Sequence, residues 1–155
     1  MENNQSIFET ICRLREEEPG LPYRFQDERT AGQKDVLYVL ASEGIPFWRK
    51  EDLAKECCGI LKDLVNKEDT ILTDPVLRHF LEHYPICSYF IELRERVRIT
   101  LEAETSSRER LFHLGMRLAR SGTDPEQVKL GIILLGFFPY DTTKQIMRVL
   151  GYHSE

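Results

Sequence analysis

Asp124-Pro125-Glu126-Gln127 leads into the apolar run VKLGIILLGFF over residues 128–138, which Pro139 stops. Asp at an N-cap accepts from the open amides of a first turn. Pro at the first helical position forfeits only a donor that would be unpaired, and Gln three residues past the cap is placed to complete a capping box. Behind this start, only Lys129, Gly131 and Gly136 interrupt the apolar run, so the helix is apolar around most of its circumference and must be enclosed by neighbours. The run is also far shorter than the roughly 20 residues that cross a bilayer. Residues 124–138 therefore predict a core helix of an all-α protein. Gly131 and Gly136 mark where a neighbouring backbone can come closest. The adjoining helices supply too little cover, so a more distant helix, such as residues 88–104, or another molecule must meet the rest.

The segment upstream reads with equal clarity. Ser106-x-x-Glu109 has the form of a capping box, and Leu111, Leu114, Gly115, Leu118 and Ala119 follow at helical spacing until Gly122. Downstream, Asp141 is placed to cap a last helix carrying Ile146, Met147 and Leu150 before Gly151. The links are short, so residues 107–121, 125–138 and 142–150 are expected to form an up-down-up array.

Further from the centre, Ser6-x-x-Glu9 caps a helix with Ile7, Phe8, Ile11 and Leu14 on one stripe, ended by Pro19-Gly20. Its acidic last turn has the wrong sign for a helix C-terminus and should fray. Thr30-x-x-Gln33 opens a second helix with Val36, Leu37 and Leu40, closed by Gly44 and Pro46. A third, over about residues 50–66, lines up Leu53, Cys57, Leu61 and Leu64. Trp48, beside Phe47 and after Pro46, reads as a core anchor at its entrance. Asp74-Pro75 opens a short helix with Leu77, Phe80, Leu81 and Tyr84, ended by Pro85. Residues 88–104 fit both periods, Phe90, Leu93, Val97 and Leu101 a helix, Val97, Ile99, Leu101 and Ala103 a strand; one strand without a sheet makes helix the better reading. Asp74-Pro75 and Asp124-Pro125 lie 50 residues apart, a spacing that admits a degenerate repeat of the HEAT or armadillo kind. The residues between do not match, which favours two separate uses of one cap.

At 155 residues, 41% hydrophobic and 30% charged, the chain has the length and composition of one globular domain. Its net charge of −5 argues against a general nucleic-acid binder. Residues 94–120 run the other way, with seven arginines against four glutamates. Arg94, Arg98, Arg108, Arg117 and Arg120 are the candidate interaction surface for an acidic partner or phosphate contacts, set against the plainer reading of a solvated face. Residues 1–6 show no signal-peptide progression, and adjacent Cys57 and Cys58 make a poor disulfide framework, so reduced thiols in the cytoplasm are expected.

Three strings invite chemistry. His79-Phe80-Leu81-Glu82-His83 matches the H-x-x-E-H pattern and resembles the inverzincin family, which implies His79 and His83 as zinc ligands, Glu82 as base and Glu102 or Glu104 as third ligand. The resemblance spans five residues, and the helical angle turns both histidines away from the apolar stripe, so an exposed histidine pair is the favoured reading. Cys57-Cys58 lacks the two intervening residues of a redox motif, and Cys57 falls in line with Leu53 and Leu61 as a buried free thiol. Residues 33–67 resemble a helix-turn-helix module through Leu53-Ala54 and Gly59-Ile60. Gly59 falls one position late, and the would-be recognition helix, residues 60–67, carries Asp63 and few base-reading side chains.

The expectation is an all-α protein of about seven helices in antiparallel hairpins, as a bundle or short α-solenoid-like array. It forms one domain over residues 1–155, with 1–70 and 74–151 as the alternative subdivision. Helical arrays without catalytic groups commonly serve as interaction surfaces, an argument by fold analogy. A non-enzymatic domain binding another protein is therefore the leading reading, with no cofactor, no metal, no membrane association and homo-oligomerisation left open. A DNA-binding regulator through residues 33–67 comes second, and a zinc hydrolase at residues 79–83 third.

Overall fold

The computed structural model describes residues 5–17, 40 and 43–150. Among them are seven α-helices and no strand: α1 (Ile7–Glu17), α2 (Phe47–Leu64), α3 (Pro75–His83), α4 (Phe90–Ala103), α5 (Arg108–Ser121), α6 (Pro125–Leu135) and α7 (Asp141–Leu150). The chain is all-α, and the divided signal over residues 88–104 resolves as helix. The helix expected to open at Thr30, with Val36 and Leu37, and the stop at Pro19-Gly20 lie outside the described residues.

Two helix starts form as their residues dictate. Ser6 Oγ accepts from the Glu9 amide at 3.1 Å while a Glu9 carboxylate oxygen accepts from the Ser6 amide at 3.1 Å, a complete capping box. Asp74 accepts from the Leu77 amide at 2.9 Å, and Pro75 takes the first position of α3.

α5 and α6 form the central hairpin. Gly122 faces Val128 and Gln127, Gly131 faces Ala119 and Gly115, and Gly115 faces Leu134 and Leu135. Positions rise on one helix as they fall on the other, so this pair is antiparallel. A β-carbon at Gly131 would lie 2.5 Å from the Ala119 backbone nitrogen and 2.9 Å from the Gly115 carbonyl oxygen, which is why this position takes glycine. Gly136 differs from the expectation: it is exposed, and a β-carbon there would meet only carbonyls of its own helix, the nearer at 3.3 Å.

Two buried cores flank this hairpin. Leu130, Leu134 and Phe138 join Leu114 and Leu118 in a core with Leu53, Cys57, Leu77, Phe80, Leu93 and Val97 from α2, α3 and α4. Val128, Leu135 and Ala119 join a second core with Ile11 of α1 and Ile146 and Leu150 of α7. α6 is thus apolar all round because it packs in both directions, and other helices of the same chain cover it, α4 among them as expected. Each leucine it buries contributes about 1.5–3 kcal/mol relative to an exposed one. α2 shares its core with residues 77–138, so no core boundary falls between residues 70 and 74. α7 takes α1 and α5 as its backbone neighbours instead of extending the array beyond α6.

The structure corrects four local expectations. Trp48 is no core anchor: α2 begins at Phe47, three residues earlier than its stripe suggested, and leaves Phe47 70% and Trp48 65% exposed. Ser106 does not cap α5. Residues Thr105–Ser107 form a 3-10 turn, the N-cap falls on Ser107 without a side-chain bond to the helix, and Ser107 Oγ donates to Glu104 instead. Asp124 does cap α6, accepting from the Glu126 amide at 2.8 Å, but Gln127 does not close a box. It is buried, and its Nε2 donates across the molecule to the Leu72 carbonyl at 3.0 Å. α6 ends at Leu135, and the buried Phe138 follows from a turn.

Glu126 makes a second long-range tie, accepting from the Ile86 amide at 2.9 Å and pairing with Lys129 at 2.9 Å. The first turn of α6 thereby holds the loops at both ends of α3. An unbonded Ile86 amide would cost about 1–3 kcal/mol in such a half-buried site.

Candidate protein-binding face

The five arginines singled out by charge do not form one surface. Arg98 is held on α4 between Glu95 and Glu102, and these bonds push the guanidinium up and hold Glu95 below its ordinary range. Arg120 lies over the Phe8 ring at 6.0 Å, toward α1, and Arg108 over the Phe138 ring at 5.5 Å. Arg108 and Arg117 are separated by about 180° around α5. Arg94 and Arg117 are exposed and make no ion pair among the described residues. Of the two remaining arginines, Arg96 pairs with Glu51 of α2 at 3.1 Å and Arg110 donates to Asn66. Arg96, Arg110 and Arg120 thus reach to other elements, while Arg98 is spent within α4.

His79 and His83 lie side by side on the exposed face of α3, their ring centroids 4.1 Å apart. Among the described residues no group of three or more histidines, cysteines or acids is placed to hold a metal ion, so Glu102 and Glu104 do not join them. Cys57 is fully buried and Cys58 half-buried, and burial first of all pushes both thiols up, Cys58 to about 11. Both stay protonated near neutrality, so neither is an activated nucleophile. Cys58 borders an open groove of ≈ 290 Å³ shared with Lys62, Glu104, Ser107 and Arg110. Tyr89, buried against Phe80, spends its hydroxyl on the Tyr84 carbonyl at 3.1 Å, and burial raises it too far to act as an acid near neutrality. In the segment that resembles a helix-turn-helix, α2 passes through Gly59 without a turn, and Ile60 continues the same helix. The first half of that module lies outside the described residues.

One group of side chains does converge. The register that sets Gly115 opposite residues 134–135 sets Phe112 opposite Phe138, and their rings meet edge to face at 5.4 Å. Tyr140, just past the stop at Pro139, meets Phe112 at 5.1 Å and Phe138 at 6.0 Å. His113 flanks Phe112 at 5.6 Å, and Arg108 covers Phe138 from one turn earlier on α5. Phe138 is the buried floor of this shelf, Phe112 is half-buried, and Tyr140 is 51% exposed. By sequence pattern Phe138 ends a core run, and neither Phe112 nor Tyr140 stands out. Their signal lay in the antiparallel register, which aligns Phe112 with the Phe138-Pro139-Tyr140 corner.

Chemically, the shelf offers aromatic faces beside a guanidinium that makes no hydrogen bond among the described residues. No helix among the described residues is long and apolar enough to cross a membrane. Comparison with known proteins found no matching family model, no matching curated protein and no matching solved structure.

Proposed function

We propose that the chain is a non-enzymatic helical module that binds another protein at the shelf formed by Arg108, Phe112, His113 and Tyr140. The observation that carries this reading is the edge-to-face cluster of Phe112, Phe138 and Tyr140 beneath the guanidinium of Arg108. Tyrosine, phenylalanine and arginine are the residue types enriched where proteins meet, since rigid rings bury much area at little entropic cost. The guanidinium edge complements a carboxylate in a bidentate pair. The partner is thus a protein segment presenting an apolar side chain next to Asp or Glu. Cys12, Cys57 and Cys58 form no disulfide and Cys57 is fully buried, which suits a reducing compartment, and a cytoplasmic setting belongs to the same proposal.

The test places a photo-crosslinking residue at position 140 and, as control, at exposed Glu102. The expected result is a protein captured from position 140 alone, which as a purified pair loses at least tenfold in affinity with Arg108→Glu and with Tyr140→Ala. Equal capture at both positions, or a purified pair indifferent to both substitutions, would remove the shelf as the binding face.

A further inference from the structure

We propose that His79 and His83 form a two-imidazole site on the surface of α3 for a divalent transition ion of the copper, nickel and zinc class. The residues are one helical turn apart, the spacing at which side chains on one face meet. Both are exposed, and their rings stand 4.1 Å apart with a tilt of 37°. Bonds from imidazole nitrogen to such ions are about 2.0–2.1 Å, so one ion can span two rings at this separation. The exposed His79 ring turns from this tilted contact toward the open nitrogen of His83 at little cost.

The second observation is the orientation of His83. Its Nδ1 lies 2.8 Å from the His79 carbonyl oxygen. A carbonyl only accepts, so Nδ1 carries the proton and donates, which leaves the lone pair on Nε2 in the neutral ring. An imidazole held by one nitrogen on a backbone carbonyl, with the other nitrogen open, is the arrangement by which proteins orient metal-binding histidines. His83 also ends α3, where the partial negative charge of the helix terminus favours a cation.

Two imidazoles leave the other coordination positions to water, since no third ligand group is assembled among the described residues. The site is therefore open and exchangeable, unlike a hydrolytic centre, and it assigns Glu82 no role. Among divalent ions, imidazole donors favour copper, nickel and zinc over magnesium or calcium.

The experiment is calorimetric titration of the untagged full chain with Ni²⁺, which does not oxidise free thiols, together with melting curves at saturating Ni²⁺. The expected result is one ion per chain, with affinity reduced at least tenfold by His79→Ala or His83→Gln, and a melting temperature that Ni²⁺ raises only in the unsubstituted protein. Both side chains are exposed, so the variants should melt with the parent when no metal is added. Absence of saturable binding, or binding that survives both substitutions on other histidines or thiols, would overturn the proposal.

Discussion

Replacing Leu134 with aspartate is expected to destabilise the protein by several kcal/mol, leaving little of the native helical signal. Leu134 has no exposed surface and lies in the core shared by α2, α3, α4, α5 and α6. Loss of the leucine alone costs about 2–5 kcal/mol in a packed core. The carboxylate adds the cost of an unpaired buried charge, which it can escape only by taking up a proton or by opening the site. Domains of this size are stable by about 5–15 kcal/mol, so the sum is a large part of the whole. Urea denaturation followed by circular dichroism measures it, with Ile91→Asp on the 66% exposed position of α4 as a control expected to shift stability by no more than about 0.5 kcal/mol. A Leu134→Asp chain that melts with that control would mean that α6 is not enclosed.

The second large effect is at Gly131, where two principles give opposite signs. Helix propensity alone favours alanine over glycine by about 1 kcal/mol in a helix interior. Packing opposes it, because the new β-carbon would lie 2.5 Å from the Ala119 nitrogen, 2.9 Å from the Gly115 carbonyl oxygen and 3.0 Å from the Ala119 Cα. All three are backbone atoms of α5. None can rotate aside, so the two helices must separate and loosen both cores. Gly131→Ala is expected to destabilise by about 1–3 kcal/mol, within the range for overpacked cores, and Gly131→Leu by more. Gly136→Ala supplies the contrast: the position has α-helical angles, φ −58° and ψ −19°, and is exposed, so alanine should be neutral or mildly stabilising there. Urea midpoints for the three variants decide the matter. Stabilisation by Gly131→Ala would mean that α5 and α6 do not approach as closely as described.

What could be read from the chain alone was what local chemistry decides. The Ser6 and Glu9 box, the Asp74 and Asp124 caps, and the stripe of Leu111, Leu114, Leu118 and Ala119 each depend on residues within a turn or two of one another. The two Asp-Pro starts also show why a shared cap is weak support for a repeat. Asp74 opens a nine-residue helix with an exposed face, Asp124 an eleven-residue helix buried on both sides, and they accept from different positions of the first turn.

Gln127, Glu126 and Trp48 show the other limit. Gln127 has the right spacing for a capping box, yet its amide goes to Leu72, and Glu126 beside it goes to Ile86. Those partners become visible only once the topology brings the loops flanking α3 against the start of α6. Residue type alone makes Trp48 a core side chain. Its exposure follows from where α2 begins, directly after Pro46. The candidate surface fared likewise, because a count of arginines cannot tell a side chain paired with glutamate, as at Arg98, from one laid over a ring, as at Arg108. The aromatic shelf needed the register of α5 against α6, a long-range property carried by the glycines at positions 115 and 131.

The claim on which the rest depends is that α5 and α6 form the wall between two cores, and native-state hydrogen exchange tests it most directly. The amides of residues 114–118 and 130–134 should exchange only through global unfolding and share one free energy, while those of α1 and α7, each at the outer edge of the second core, open at lower cost. Exchange in α6 as fast as in α1 or α7 would contradict the account.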